Sequence, residues 1–287
     1  MRFVTDFTDY ELVDANRGQR LERWGDVYLV RPDPQAIWSF SENKALWSKA
    51  DAIYHRSNAG GGYWEPLRKV PDVWSIDYNG LTFRLKPMGF KHTGLFPEQA
   101  VNWNLMREQI EHAGRPIKVL NLFAYTGGAT LACLAAGASV THVDASKGMV
   151  QWAKENAAAS GLADCPVRWL VDDCKKFVER EIRRGNHYDG IVMDPPSNGR
   201  GPNGEVWKLE QNLEELLRLV GQLFSDKPLF LLLNTYTAGM SSTVLDFMVE
   251  EYIAKGRGTV STDEIGLAVT KRNLVMPAGN TTIWTMR

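Results

Sequence analysis

The second half of the chain alternates between short apolar runs and longer segments of helix-forming residues. The apolar runs lie at residues 119–123, 139–144, 167–173, 188–194 and 229–235. Repeated strand–helix pairs predict a parallel sheet with right-handed crossovers. Two final runs, 260–269 and 281–286, predict an antiparallel hairpin. The pattern therefore predicts an α/β fold with a doubly wound, mostly parallel seven-stranded sheet. Predicted helices include one capped by Ser146 that ends near residue 160 and one over about 206–224.

Residues 1–90 follow a different pattern. Segments 26–31 and 80–86 alternate as short strands do, and turn residues such as Gly60-Gly-Gly62 separate them. This predicts a small β-rich N-terminal domain over residues 1–90 and a larger domain over 91–287. Five tryptophans fall in the small domain, and they favour a thin aromatic core over a platform for stacked bases. They are Trp24, Trp38, Trp47, Trp64 and Trp74.

Composition and charge narrow the class of protein. The chain has 287 residues, 44% hydrophobic and 23% charged, which is ordinary for a globular protein. A net charge of -1 gives no global basic field, although a local basic face for RNA is compatible with it. Cys133, Cys165 and Cys174 lack metal-site spacing and fit a reducing compartment without disulfides. Residues 1–6 lack a signal-peptide core, and no apolar run is long enough for a membrane span. We expect a cytoplasmic protein with no membrane segment and no metal.

The first apolar run ends at Tyr125-Thr-Gly-Gly128, and helix-forming residues resume at Ala129. A strand, a glycine turn and a helix form the opening of many nucleotide-cofactor sites. The spacing is not G-x-G-x-x-G, so the dinucleotide fingerprint is not met. The alternative interpretation is a plain strand-to-helix turn.

Acidic residues follow three further strands. Parallel strands end at the same sheet edge, so Asp144, the pair Asp172–Asp173, and Asp194 should lie near the glycine turn. Asp144 could accept both ribose hydroxyls of an adenosine, and Asp172 or Asp173 could accept from the adenine amine. Carboxylates would repel a diphosphate, whereas a cationic cofactor such as S-adenosylmethionine suits them. For each acid the alternative is a turn or a helix cap.

The segment Asp194-Pro-Pro-Ser197 is the candidate substrate edge. Pro195 and Pro196 fix φ and remove two N–H donors, which leaves rigid carbonyl acceptors beside the Asp194 carboxylate. Such an edge could hold a planar amine of a substrate, so these three residues are the predicted catalytic group. A rigid loop start is the alternative. The glycine-rich loop 197–204 could close over a flipped base or be an idle loop. The polar segment 90–103 is predicted to cross the mouth of the site, with a plain linker as its alternative.

Four motifs together resemble the class I S-adenosylmethionine-dependent methyltransferases, which have a Rossmann-like fold. They are Asn121-Leu-Phe-Ala-Tyr-Thr-Gly-Gly128, Val143-Asp144-Ala-Ser146, Asp172-Asp-Cys174 and Asp194-Pro-Pro196. The match is closest to the large-subunit ribosomal RNA methyltransferases that modify cytosine carbon 5 or guanine nitrogen 7, and it runs from about residue 90 to the end. The resemblance implies S-adenosylmethionine as cofactor and RNA, first of all ribosomal RNA, as substrate. Together with the strand-end argument, it gives these cofactor-binding residues: Thr93, Phe96, Gln99, Phe123, Tyr125, Thr126, Gly127, Asp144, Ala145, Ser146, Asp172, Asp173 and Asp194.

The chain departs from that family at its cysteines. In the carbon-5 enzymes, the thiolate of a cysteine that follows the fifth strand adds to the pyrimidine ring. At that place this chain has Leu233-Asn-Thr-Tyr-Thr237, without a cysteine. Met276-Pro-Ala-Gly279 likewise stands where the family carries a cysteine. Cys133 and Cys174 are predicted to be buried structural thiols. A PUA-type RNA-binding module is not expected within residues 1–90. The predicted reaction is direct in-line methyl transfer to a base nitrogen.

Two alternatives remain open at this stage: a methyltransferase of a protein or small molecule, which the near-neutral charge favours, and a non-catalytic S-adenosylmethionine-binding protein. A nicotinamide dehydrogenase is disfavoured by the glycine spacing. No oligomeric state is predicted. Candidates for phosphate contacts are Arg84, Lys86, Lys91, Arg200, Lys208, Lys271 and Arg272.

Overall fold

The computed structural model describes residues 1–40, 43–57, 61–200, 206–237 and 239–286. The chain divides into two compact units, one of Met1–Ala100 with Gly266–Ala278 and one of Val101–Ile265 with Gly279–Arg287. The division into a domain of residues 1–90 and a domain of residues 91–287 stays a prediction. None of the helices in the described ranges has the length and apolar character that a membrane crossing requires.

The first unit is rich in β-strands, as its alternating segments predict. Strands β1, β2 and β3 form an antiparallel meander, β4 pairs parallel to β3, and β5 pairs antiparallel to β4. A separate antiparallel hairpin consists of β6 and β7. The elements are β1 (Tyr10–Asn16), β2 (Gln19–Trp24), β3 (Val27–Pro32), the short helix α1 (Lys44–Trp47), β4 (Ala52–Arg56), β5 (Gly62–Pro66), β6 (Trp74–Tyr78) and β7 (Leu81–Leu85).

The tryptophans of this unit are tied into its framework. Trp24 is fully buried. Trp38 donates its indole N–H to the Ala15 carbonyl at 2.8 Å, and Trp74 donates to the Trp24 carbonyl at 3.0 Å. The Trp64 indole donates to the Met88 carbonyl, and the Trp47 indole donates to the Asp14 carboxylate, each at 2.9 Å. These contacts support the core interpretation rather than a stacking platform.

A buried ionic cluster lies within the first unit. Glu22 accepts two hydrogen bonds from Arg31, at 2.5 and 2.7 Å, and lies 3.4 Å from Arg20. Burial alone would raise the pKa of Glu22, but Arg20 and Arg31 outweigh it and lower the pKa to about 2. Glu98 is also buried, and for it burial prevails over the Arg20 charge and raises the pKa. The two carboxyl groups therefore couple to pH with opposite signs.

Replacing Glu98 with glutamine is expected to stabilise the protein at pH 8 and to leave stability unchanged near pH 4. A carboxyl group whose folded pKa is raised contributes stability that is lost as the pH rises, at about 1.36 kcal/mol per pH unit between the unfolded and the folded pKa. Glutamine cannot ionise and avoids that loss. Thermal unfolding of wild type and Glu98→Gln between pH 4 and 8 measures the difference.

Glu22→Gln is the matched control, because its carboxyl belongs to the same cluster but has a lowered pKa. The wild-type Glu22 carboxylate stabilises the folded state above its unfolded pKa, and this stabilisation is lost only as the pH falls toward 2. We expect Glu22→Gln to destabilise the protein between pH 5 and 8, by roughly 3–5 kcal/mol, since it leaves Arg31 without its buried partner. Destabilisation by both substitutions at pH 8 would contradict the assignment for Glu98.

The second unit contains the predicted doubly wound sheet. Its strand order is β10-β9-β8-β11-β14-β16-β15, with the first five strands parallel and β16 antiparallel to β14. This confirms the doubly wound, mostly parallel sheet and its C-terminal hairpin; the strand count departs from the predicted seven, because β15 also pairs with β1 and the whole sheet has twelve strands in the described part of the chain. The hairpin tip, Gly266–Ala278, belongs to the first unit. The elements are α2 (Ala100–Glu111), β8 (Lys118–Leu122), α3 (Gly128–Ala135), β9 (Ser139–Asp144), α4 (Lys147–Ala159), β10 (Val167–Val171), α5 (Cys174–Arg184), β11 (Gly190–Met193), β12 (Asn198–Arg200), β13 (Val206–Lys208), α6 (Leu209–Val220), β14 (Phe230–Thr235), α7 (Ser242–Val249) with a π-helical turn at Glu250–Ala254, β15 (Thr259–Val269) and β16 (Leu274–Thr285).

The predicted helix over 206–224 is wrong at its start. Val206–Lys208 is the strand β13, which pairs antiparallel with β12, and α6 begins only at Leu209. The Leu209 N–H donates to the Ser197 carbonyl at 3.0 Å and closes this small hairpin. Residues 201–205 lie outside the described residues. They make up most of the loop 197–204, so its closure over a base stays a prediction.

One apolar core fixes the strand ends of the second unit. Alternate residues of the sheet, such as Leu122, Met193 and Leu233, pack against α5, α6 and α7. Each fully buried leucine contributes roughly 1.5–3 kcal/mol. Side chains alternate along a strand, so the residues between them face the opposite side of the sheet. The carboxyl ends of the parallel strands are thus held by a rigid layer.

Candidate cofactor-binding site

The predicted site segments follow the carboxyl ends of adjacent strands. Leu122 at the end of β8 pairs with Val143 of β9 and with Met193 of β11, and Val171 of β10 pairs with Asp144. The glycine turn, Asp144, Asp172–Asp173 and Asp194 therefore begin at one edge of the sheet. This is the edge where open α/β sheets bind ligands.

The loop between β8 and α3 has an unusual backbone. Phe123, Tyr125 and Gly127 have φ of 55°, 49° and 89°. Positive φ costs a bulky residue of the order of 1–3 kcal/mol, and such strain persists where the surroundings enforce it. Here the Phe123 N–H donates to the Cys174 sulfur at 3.3 Å, and the Ala124 N–H donates to a β9 carbonyl at 3.1 Å. Strain held in this way is typical of a loop shaped for a ligand.

Asp144 connects this loop to the next strand end. Its Oδ2 accepts from the Tyr125 N–H and its Oδ1 from the Ser146 N–H, each at 2.8 Å. Burial raises the pKa of Asp144, while the two N–H donors oppose the rise. A carboxylate has about four acceptor positions, so two remain for further donors. The half-buried carboxylate is thus suited to the two hydroxyls of a ribose.

The two glycines of the turn are required by packing. A Cβ on Gly127 would lie 3.0 Å from the Ala153 Cβ of α4, and one on Gly128 would lie 2.8 Å from Cζ2 of Trp103 in α2. Thr126 is buried, and its carbonyl accepts from Asn156 at 2.9 Å. These close contacts explain why the last two residues of the turn, Gly127 and Gly128, have no side chains.

The other acids at the strand ends have structural partners. Asp172 forms an ion pair with Arg180, and Asp173 caps α5 by accepting from the Lys176 N–H at 2.9 Å. Ser146 caps α4, as predicted, through Met149. Ala145 lies half-buried between Asp144 and Ser146. Adenine recognition by Asp172 or Asp173 stays a prediction.

The Asp194-Pro-Pro-Ser197 segment forms hydrogen bonds with three other segments of the second unit. Asp194 is half-buried, and its N–H donates to the Leu122 carbonyl at 3.4 Å. The Pro196 carbonyl accepts from Nε1 of Trp207 at 2.7 Å, and the Ser197 hydroxyl accepts from Thr237 at 2.7 Å. The Pro196 carbonyl therefore already has one donor, and the second lone pair of its oxygen is the one that a substrate could use. Its role as an acceptor for the substrate stays a prediction.

A buried amide network was missed by the sequence patterns. Asn234 near the end of β14 accepts from Asn102 at 3.1 Å and from Thr281 at 2.6 Å. All three side chains are buried. Because Met193 pairs with Leu233, Asn234 comes level with Asp194 on the adjacent strand. The only sequence signal was an asparagine inside the apolar run Phe230–Thr235.

Three residues implied by the resemblance belong to the first unit. Thr93 is fully buried, and within the described part of the chain its hydroxyl has no hydrogen-bond partner. Gln99 is buried in a 3₁₀ turn, and the Phe96 ring lies 5.1 Å from the ring of His92. Their contact with a cofactor stays a prediction. No three His, Cys, Asp or Glu side chains in the described ranges are grouped as metal ligands.

Cys133 and Cys174 are not activated. Cys133 and Cys174 are buried, which confirms their predicted structural role. Burial raises the pKa of Cys133 to about 12, and burial raises the pKa of Cys174 well above the usual thiol range. Cys165 is half-buried in the segment before β10. A nucleophilic thiol must be largely ionised, and burial opposes ionisation of Cys133 and Cys174.

Iodoacetamide at pH 8 is expected to alkylate at most Cys165 in the folded protein and to leave methyl transfer unchanged. Cys133 and Cys174 are shielded and protonated, so they should react only after unfolding. Mass spectrometry of native and urea-unfolded samples gives the extent of labelling at each site. Rapid native alkylation of Cys174 together with loss of transfer would contradict this prediction.

Known proteins resemble this chain at the level of sequence and fold. A family model described as S-adenosylmethionine-dependent methyltransferase matches residues 38–258. The solved S-adenosylmethionine-dependent methyltransferase from Agrobacterium tumefaciens is 37% identical with a TM-score of 0.95, over 99% of this chain and 92% of that one. SMU.776, solved with SAH, has a TM-score of 0.76 at 20% identity, over 98% of this chain and 76% of its own; at that identity the likeness concerns the fold.

A curated relative covers part of the chain. The ribosomal RNA large subunit methyltransferase K/L of Pseudoalteromonas atlantica is 34% identical over 161 residues, which is 55% of this chain and 22% of the relative. The chain spans about a fifth of the length of the curated relatives it matches.

Proposed function

Because the chain belongs to the S-adenosylmethionine-dependent methyltransferase family, we propose that it methylates a base nitrogen in RNA. The observation that carries the proposal is the placement of Asp144 and Asp194 on strands that flank β8. The first is suited to an adenosine ribose, and the second stands beside a rigid proline pair. An RNA substrate is supported by the relatives named ribosomal RNA methyltransferases.

In this proposal the residues divide the work between cofactor and substrate. Asp144 accepts the ribose hydroxyls, and the loop Phe123–Gly127 surrounds the methionine part; Thr93, Phe96 and Gln99 are the further contacts that the resemblance implies. The bound cofactor supplies an electrophilic methyl group. Asp194 holds the amine edge of the base and orients its ring nitrogen. A base nitrogen carries its own lone pair, so in-line orientation replaces thiolate addition.

Exposed lysines are the proposed contacts with the phosphates of the RNA. Lys86, Lys208 and Lys271 are exposed, as a salt-dependent contact with RNA requires. Arg272 is less suited, since it forms an ion pair with Asp14 and lies over the Phe40 ring. The side chain of Arg200 lies outside the described residues. Ribosomal RNA is the first candidate, and a cytoplasmic location would follow from it.

The test is methyl transfer from labelled S-adenosylmethionine to RNA from cells that lack this protein. Label in RNA that disappears after ribonuclease treatment is the expected result, and nucleoside analysis should place the methyl group on a nitrogen. Label that survives ribonuclease would overturn the RNA substrate and favour a protein. A carbon-5 methyl group would overturn the proposed chemistry.

A further inference from the structure

Trp207 contacts both sides of the proposed site. Its ring centroid lies 5.2 Å from that of Phe123, in the strained loop after β8, with an interplanar angle of 51°. Its Nε1 donates to the Pro196 carbonyl at 2.7 Å. One half-buried side chain thus joins the proposed cofactor loop to the proposed substrate edge.

The hairpin β12–β13 fixes the position of Trp207 relative to Pro196. Gly199 pairs with Trp207 across the hairpin, and a Cβ on Gly199 would lie 3.2 Å from Cγ of Pro196. The Ser197 carbonyl accepts from Leu209 at the hairpin base. Pro196 has no N–H, so its carbonyl is the one backbone group of this residue that can form a hydrogen bond.

We propose that Trp207 is a positioning residue that sets the orientation of Asp194-Pro-Pro196 relative to the loop Phe123–Gly127. The inference rests on the proposed function, because it assigns these segments to acceptor and cofactor. Its indole N–H fixes the proline peptide, and its ring supports Phe123 at positive φ. The two contacts are separable by substitution: phenylalanine keeps a ring and removes the donor, whereas alanine removes both.

Trp207→Phe is expected to lower kcat about tenfold, since small misplacements of reacting groups have effects of this order or larger. Its dissociation constant for S-adenosylmethionine should stay within about twofold of wild type, because an aromatic ring still faces Phe123. Trp207→Ala should lower kcat at least as much and raise that dissociation constant about fivefold, from loss of the aromatic contact. Titration calorimetry and steady-state methylation assays measure the two quantities.

Trp169→Phe is the matched control. Trp169 is also half-buried in the second unit, but it lies inside β10, and its ring packs 4.8 Å from the ring of His142. We expect wild-type kcat and cofactor affinity for it. Unchanged kcat in Trp207→Phe, or an equal loss in Trp169→Phe, would overturn the positioning role. Thermal unfolding of all variants is measured too, and loss of the fold in both Trp207 variants would make this residue a stability residue and overturn the inference.

The measurement of S-adenosylmethionine affinity keeps this test separate from the test of the proposed function. A wild type that methylates no RNA would refute the RNA substrate, yet the contrast between Trp207→Phe and Trp207→Ala in S-adenosylmethionine affinity would still be measurable. Equal affinities in the two variants would overturn the role assigned to the Trp207 ring.

Discussion

Asp194→Ala is expected to lower kcat by about a thousandfold while the protein keeps its fold. Loss of a charge-assisted hydrogen bond to the substrate amine removes roughly 1.5–3 kcal/mol, and misorientation of the base adds about a hundredfold. The local fold should persist, because hydrogen bonds to Pro196 and Ser197 hold the segment independently of the Asp194 carboxylate. Methylation at saturating cofactor and RNA, with far-UV circular dichroism of the variant, measures both parts.

Two comparisons sharpen this expectation. Asp194→Asn keeps the size and one acceptor oxygen but removes the charge, so its kcat should lie between wild type and alanine. Asp164→Ala removes an exposed carboxylate of the same unit and should leave kcat unchanged. Turnover of Asp194→Ala within tenfold of wild type would remove this residue from the proposed mechanism.

The sheet was predictable because its signals are local and repeated. Each apolar run of the second unit became a strand, and parallel pairing alone brought Asp144 and Asp194 to one edge. Local rules would also have found the cap at Asp173, since an aspartate precedes the first turn of α5. That role competes with the predicted contact to adenine, and the sequence left both interpretations open.

The contacts missed by the sequence are those between distant segments. Val206 lies three residues before Leu209 and continues the apolar pattern of α6, so local spacing predicts a helix there, but pairing with Asn198–Arg200 makes Val206–Lys208 a strand. The hydrogen bond from Trp207 to Pro196 crosses that hairpin. The bond between Asn102 and Asn234 joins residues 132 positions apart, which no periodicity can anticipate.

Gly127→Ala is expected to destabilise the protein by roughly 2–5 kcal/mol and to abolish measurable cofactor binding. A left-handed φ of 89° costs alanine about 1–2 kcal/mol. The new methyl group would also lie 3.0 Å from Ala153 of α4, an overpacking that costs about 1–3 kcal/mol in a rigid core. Relief of that contact must move either α4 or the loop that positions the Tyr125 N–H against Asp144.

Gly137 provides the matched control at the other end of α3. Its φ is 88°, nearly that of Gly127, but a Cβ there would meet no atom within 4 Å. Gly137→Ala should therefore cost only the backbone strain, about 1–2 kcal/mol, and leave cofactor affinity unchanged. Urea unfolding and calorimetric titration of both variants separate strain from packing. If the two substitutions destabilise equally and neither weakens cofactor binding, then the contact between the turn and α4 does not shape the site, and the strained loop would have to be explained by Phe123 and Tyr125 alone.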